Sequence, residues 1–182
     1  MQSIRHLTQS LASLATAEHY LFASDDLRAL LPNVSDSAFK TLLSRAVRGG
    51  YLARVCRGLY LYEHVDYPRG LVLFHAAARL RADTFNYISL ETALSDAGVI
   101  SQIPINWVAL MSSGRSSTIR CGAWGTIEFV HTCKGPDDVA SQLHYDARCH
   151  LWRASVGLAV QDMRATRRNM DLIDWSIVNE SV

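Results

Sequence analysis

Ser35 to Tyr62 reads SDSAFKTLLSRAVRGGYLARVCRGLYLY, and its two halves have different periods. Ser35 or Asp36 stands where a helix N-cap belongs. Gly49-Gly50 is a strong helix stop, so the spacing predicts a helix over 36–48. The remainder, YLARVCRGLYLY, gives two short β-rich runs around Arg57-Gly58. That is a hairpin over 52–62, with Gly58 suited to the tight turn. On a helical wheel with Ser37 at the origin, Lys40, Thr41, Ser44 and Arg48 fall within roughly 60° of it and Arg45 at about 80°. Ala38, Phe39, Leu42, Leu43, Ala46 and Val47 take the opposite arc. One face is built for burial, and the other offers serine, threonine, lysine and arginine over a length and width that suit the DNA major groove.

Upstream, Ile4, Leu7, Leu11 and Leu14 recur at helical spacing and predict a first helix over 3–16. Tyr20-Leu21-Phe22 reads as a short strand. Ser24 precedes DDLRALL as an N-cap followed by two acids in the first turn, and Pro32-Asn33 ends that helix. Two helices, the second basic on its outer face, followed by a basic hairpin, form the pattern of a winged helix-turn-helix. The recognition helix is then 36–48, presenting Ser37, Lys40, Thr41, Ser44, Arg45 and Arg48. The wing is 52–62, with Arg54 and Arg57 reaching phosphate or the minor groove. Tyr60 and Tyr62 alternate with Leu59 and Leu61, so one pair packs while the other faces out. The tyrosines either cover the core at a sheet edge or contact phosphate.

Charge and composition support this and exclude other classes. The 182 residues carry a formal net charge of +1, yet residues 37–62 hold Lys40, Arg45, Arg48, Arg54 and Arg57 and no acid. A local basic patch on a nearly neutral chain is a docking face or a solvated helix face, not a solubility device. The cations are nearly all arginine, which suits bidentate contact with phosphate or guanine. Hydrophobic residues make up 49% and charged residues 19%, which excludes intrinsic disorder. No apolar run approaches the roughly 18–20 residues of a membrane helix, and the N-terminus lacks the apolar core of a signal peptide, so the expectation is a cytoplasmic protein with no membrane partner. Cys56, Cys121, Cys133 and Cys149 never form C-x-x-C and read as buried thiols.

The boundary is placed near residues 63–70, EHVDYPRG, dividing the chain into 1–66 and 67–182. The second segment reads as mixed α+β, so the fold class is α+β throughout. Helices are predicted at 71–80 and after Ser89, strands over Ile105–Met111 and Ile127–Val130, and turns at 112–117 and 122–125. A helical stretch, in one or two pieces, is expected over 137–168, followed by an irregular tail or a short final helix over 169–175. Arg153, Arg164, Arg167 and Arg168 fall on one side of the last long helix. They are either complements of its C-terminal dipole or a second basic surface.

Three stretches resemble the AbiEi family of antitoxins of bacterial type IV toxin–antitoxin systems: YISLETALSDAGVISQIP (87–104), VALMSSGRS (108–116) and RRNMDLIDW (167–175). The segment ending RGLYLY (57–62) resembles that family's winged helix. The resemblance covers most of the chain, is most specific over 87–116, and includes no catalytic signature. It implies an N-terminal winged helix and a C-terminal α+β antitoxin domain. It also implies repression of a two-gene operon through inverted repeats in double-stranded DNA. The companion toxin is a nucleotidyltransferase, which the antitoxin counters without a stable complex. By position, DNA contacts fall to Ser37, Lys40, Thr41, Ser44, Arg45, Arg48, Arg54 and Arg57. Arg115 and the terminal arginines match recurring family positions whose role is open.

Other chemistry fits poorly. His131, Cys133, His144, Cys149 and His150 cluster loosely, with His131 and Cys133 on one strand face, but at none of the usual zinc spacings, so no metal or other cofactor is expected. Glu128 has no E-x-K partner, and Asp137-Asp138 read as a helix N-terminus, which leaves a metal-dependent nuclease without its carboxylates. No Gly-rich phosphate loop, G-x-S-x-G or H-E-x-x-H is present, so the chain is not read as an enzyme. The alternatives are a stand-alone winged-helix regulator without a toxin and a protein-interaction module.

Overall fold

In the computed structural model, which describes residues 2–101 and 106–180, the third helix, α3, spans Asp36–Arg48 as its cap and stop predict. The Ser35 hydroxyl accepts from the Ala38 N–H at 3.4 Å. At the other end the Tyr51 N–H returns to the Ala46 carbonyl and the Gly50 N–H to that of Val47. This is a Schellman closure that needs the left-handed φ of +71° found at Gly50. Phe39, Leu42, Leu43 and Ala46 are buried, while Val47 is half-buried and Ala38 exposed. Ala38, assigned to the buried arc by the wheel, stands only about 100° from Ser37. In the first turn that rim position clears the core.

The chain divides into two compact units, residues 1–72 and 73–182. The first contains α1 (Gln2–Leu14), β1 (Leu21–Ala23), α2 (Ser24–Ala29), α3, β2 (Ala53–Cys56) and β3 (Leu59–Leu61). Residues 67–72 go with it, and the Tyr67 ring stacks on that of the fully buried Tyr20 at 4.8 Å. The strands form one antiparallel sheet in the order β1-β3-β2. Leu7 and Leu11 of α1, Phe22, Leu27 of α2 and the inner face of α3 make a single core.

Two local readings need correction. Ser24 does not cap α2. The cap is Ala23, whose N–H is taken by the Asp26 carboxylate at 2.7 Å, while the Ser24 N–H pairs with the Gly58 carbonyl as a continuation of the sheet. Nor do Leu59/Leu61 and Tyr60/Tyr62 separate cleanly. β3 is the central strand, so both leucines are buried, but Tyr62 follows it into the core and only Tyr60 is half-exposed. The register slips between Arg54 and Cys56, so Val55 and Cys56 both turn inward and Arg54 remains outside, opposite Tyr60.

The second unit carries α4 (Val72–Leu80, from the last residue of the first unit), β4 (Asn86–Ile88), α5 (Leu90–Asp96), β5 (Trp107–Ser112), β6 (Ser117–Arg120), β7 (Thr126–His131), α6 (Pro136–Val139), β8 (Leu143–Asp146), β9 (Leu151–Ala154), α7 (Val156–Ala165) and α8 (Trp175–Glu180). Its mixed sheet has the order β6-β7-β5-β4-β9-β8. Ile105, the predicted start of β5, and residues 102–104 of the family-like stretch lie outside the described residues. The helix expected over 137–168 is contradicted. Helix occupies its two ends, as α6 and α7, and the β8–β9 hairpin lies between them. LHYD and LWRA show little strand pattern of their own, but β9 runs parallel to β4, Tyr87 beside Trp152, and that pairing sets their conformation.

Ionic clusters tie this unit together, and two of them hold strongly buried carboxylates. The Asp162 carboxylate on α7, fully buried, accepts from Ser89 Oγ (2.7 Å), Tyr87 Oη (3.1 Å) and Lys134 Nζ (2.8 Å). Burial and the adjacent carboxylate push the Tyr87 phenol well above its ordinary range. Ser89, predicted to cap α5, makes no cap bond because its hydroxyl is turned to Asp162. In the second cluster, burial opposes ionisation of Asp146, but the Arg153 guanidinium and the Arg148 N–H outweigh it and hold the carboxyl down to about 2. A folded-state value below the unfolded one stabilises the protein above about pH 4, and the gain is lost as pH falls toward about 2. The wild-type melting temperature is therefore expected to fall more steeply across that window than that of Asp146→Asn. Parallel curves would remove Asp146 from the acid response.

Candidate nucleic-acid interface

The side chains that the wheel set outward are outward. Ser37, Lys40, Thr41, Ser44, Arg45 and Arg48 of α3 are all exposed, as are Arg54 and Arg57 of the hairpin. They differ in how free their polar atoms are. The Thr41 hydroxyl donates back to the Ser37 carbonyl at 3.0 Å, Ser37 Oγ lies 3.3 Å from Ser35 Oγ, and Ser44 Oγ accepts from Arg48 at 3.1 Å. The Arg54 Nε–H leans on the Cys56 carbonyl at 3.4 Å. Among the described residues, none of Lys40, Arg45, Arg48, Arg54 and Arg57 is ion-paired with a carboxylate.

The hairpin and α3 border an open cleft of about 510 Å³, lined by Lys40, Ser44, Arg48, Arg54, Arg57 and Tyr60 among others, with no acidic residue in its lining among the described residues. Four cations around one concavity, none of them ion-paired among the described residues, concentrate positive potential there. The other flank of α3 borders a second depression, of about 640 Å³, lined by Ser37, Thr41 and Arg45 together with Ser3 of α1. The outer edge of α3 is thus a ridge with space on both sides, which a groove's walls could occupy. Ser24 also lines the cleft, brought there by its backbone bond to Gly58. Reading Ser24 as a helix cap hid this role, and the only sequence sign of it is the short strand just before it.

The chain matches no family model and no curated protein.

The four C-terminal arginines do not share a helix face. Arg153 lies on β9 and is ion-paired with Asp96 and Asp146. Arg164 is on α7 and stacks over the Trp175 ring at 5.4 Å. Arg167 closes α7 with a left-handed φ of +57°, and Arg168 turns back to Glu128 at 2.6 Å and Glu91 at 3.5 Å. The common surface required the continuous helix that the β8–β9 hairpin replaces. Two of its members are engaged in internal ion pairs. In the 112–117 turn, the Arg115 carbonyl accepts from the Arg81 guanidinium, which also donates to Ser112 Oγ and Ser117 Oγ, and the Arg115 side chain is exposed. Among the described residues, no group of three or more His, Cys, Asp or Glu side chains is arranged to hold a metal ion, and no helix is long and apolar enough to cross a membrane.

Proposed function

We propose that residues 1–72 are a winged helix-turn-helix and that the chain is a sequence-specific repressor acting on double-stranded DNA. The order helix, strand, helix, helix, strand, strand and the sheet order β1-β3-β2 support the winged-helix reading. The observation that carries the function is the acid-free cleft beside α3, with Lys40, Arg48, Arg54 and Arg57 around it and Arg45 free on the opposite flank. In this reading α3 enters the major groove. Arg48, Arg54 and Arg57 hold phosphates and set register, while Lys40, Arg45 and the adjacent hydroxyls meet base edges. An inverted-repeat operator takes two copies, about 34–36 Å apart along the duplex.

Residues 73–182 are, in the same proposal, the antitoxin half, counteracting a nucleotidyltransferase toxin without a stable complex. This part rests on the sequence resemblance. Salt separates DNA binding from a protein-interaction role. The expected log–log slope of affinity against salt is roughly −0.9 per phosphate contact, hence steep for several contacts. An operator affinity that hardly changes with salt would favour the interaction module. The two halves of the proposal are separable in the full chain. Lys40→Ala with Arg45→Ala is expected to lose repression of a reporter behind the operator and still restore growth to cells expressing the toxin. Loss of rescue in a stably folded double variant would contradict the division of labour.

A further inference from the structure

The four cysteines are not equivalent: Cys56, Cys121 and Cys149 are buried, and Cys133 is exposed. Burial pushes the Cys149 thiol up to about 11, so it is poorly nucleophilic near neutrality. Cys133 has a different neighbour. Its Sγ lies 3.7 Å from Nε2 of His131, at the end of β7. The ring's other nitrogen, Nδ1, lies 3.0 Å from the Gly114 carbonyl oxygen. A carbonyl can only accept, so in the neutral ring Nδ1 carries the proton and Nε2 presents its lone pair to the thiol.

The imidazole is held from behind. The His131 N–H donates to Ser116 Oγ at 2.9 Å and the Thr132 N–H to the Ser112 carbonyl at 2.8 Å, fixing the end of β7 against the 112–117 turn. Both His131 and Cys133 are exposed, so a small reagent can reach the sulfur. Lys134 follows Cys133 directly in the chain, and Arg115 lies between Gly114 and Ser116, the two residues that bond His131. Arg115 is exposed on the turn, and Lys134 is engaged with Asp162 at 2.8 Å. Thiol, base and an acceptor that orients the base are the parts of an activated cysteine nucleophile.

We propose that Cys133 is a thiol modification site for low-molecular-weight disulfides, with His131 as its base. The Cys133 S–H proton passes to His131 Nε2, and the sulfur attacks one sulfur of the disulfide. The S–S bond of the reagent breaks as the mixed disulfide forms. The departing thiolate takes the proton from His131 and leaves as a thiol. Cys133 is oxidised to the mixed disulfide as the reagent's departing sulfur is reduced, so no further oxidant is needed.

The test treats the full-length native chain with glutathione disulfide and follows intact mass, with peptide mapping of the adduct. The expected result is one adduct per chain, on Cys133, and none at early times in Cys133→Ser. His131→Asn should slow the native reaction at neutral pH roughly tenfold, while leaving the rate in denaturant equal to wild type. Independently of any variant, Cys133 in the native protein should react faster than the same thiol in the unfolded chain. A first adduct on Cys56, Cys121 or Cys149 overturns the proposal. So does a native Cys133 that reacts no faster than the unfolded one, or an unchanged rate in folded His131→Asn.

Discussion

Under the proposed function, Lys40→Ala combined with Arg45→Ala is expected to weaken operator binding by roughly 1–3 kcal/mol for each of the two that reads a base, and to lower the magnitude of the salt slope by about 1 for each that instead touches phosphate. These two are chosen over the other outward residues of α3 because their side chains are uncommitted. The Thr41, Ser37 and Ser44 hydroxyls are already bonded within the helix or its cap, and Arg48 leans on Ser44. The double variant leaves the buried face of α3 untouched, since Phe39, Leu42, Leu43 and Ala46 make the core contacts. Fluorescence anisotropy with an operator duplex at several salt concentrations measures both quantities. An unchanged affinity and slope would take α3 out of the interface and leave its basic face a solvated one.

The second large effect belongs to stability. Lys134→Met should cost about 3–5 kcal/mol, because it removes the partner of a buried charge. The pair is lopsided: the Asp162 side chain is 1% exposed and that of Lys134 34%. Without the lysine, the carboxylate is stranded in the interior, answered among the described residues by the Ser89 and Tyr87 hydroxyls. Without the aspartate, the ammonium can turn toward water, so Asp162→Asn should cost less than Lys134→Met. Combining the two should recover part of the loss, since neither charge then remains. Urea unfolding of the three variants decides it. A Lys134→Met midpoint at the wild-type value would show that the carboxylate needs no countercharge.

Helix α3 was legible because its signals are local. Ser35, the Gly49-Gly50 pair and the spacing of Phe39, Leu42, Leu43 and Ala46 each act within a few residues, and together they bound α3 at Asp36 and Arg48. The exposed side of that helix follows from the same periodicity. The second unit was harder because its strands are short and take their conformation from distant neighbours. β4 has three residues, yet it stands between β5 and β9. Nothing near residues 143–154 reports that Trp152 will lie beside Tyr87. Helical periodicity alone puts Arg153 and Arg168 on one helix face, whereas in the fold they bind Asp96, Asp146, Glu91 and Glu128.

Sequence alone therefore determined the third helix, its polar face and the basic charge of the hairpin, since helix period and local charge are properties of neighbouring residues. Only the tertiary structure decided that Arg54 and Arg57 share a cleft with Lys40 and Arg48, and that Val55 bulges inward to leave Arg54 outside. It alone joined Asp162 to Lys134, Ser89 and Tyr87, and set His131 between Gly114 and Cys133. These contacts depend on strand pairing between residues far apart in the chain, where loop closure and sheet register, not local preference, choose the partner.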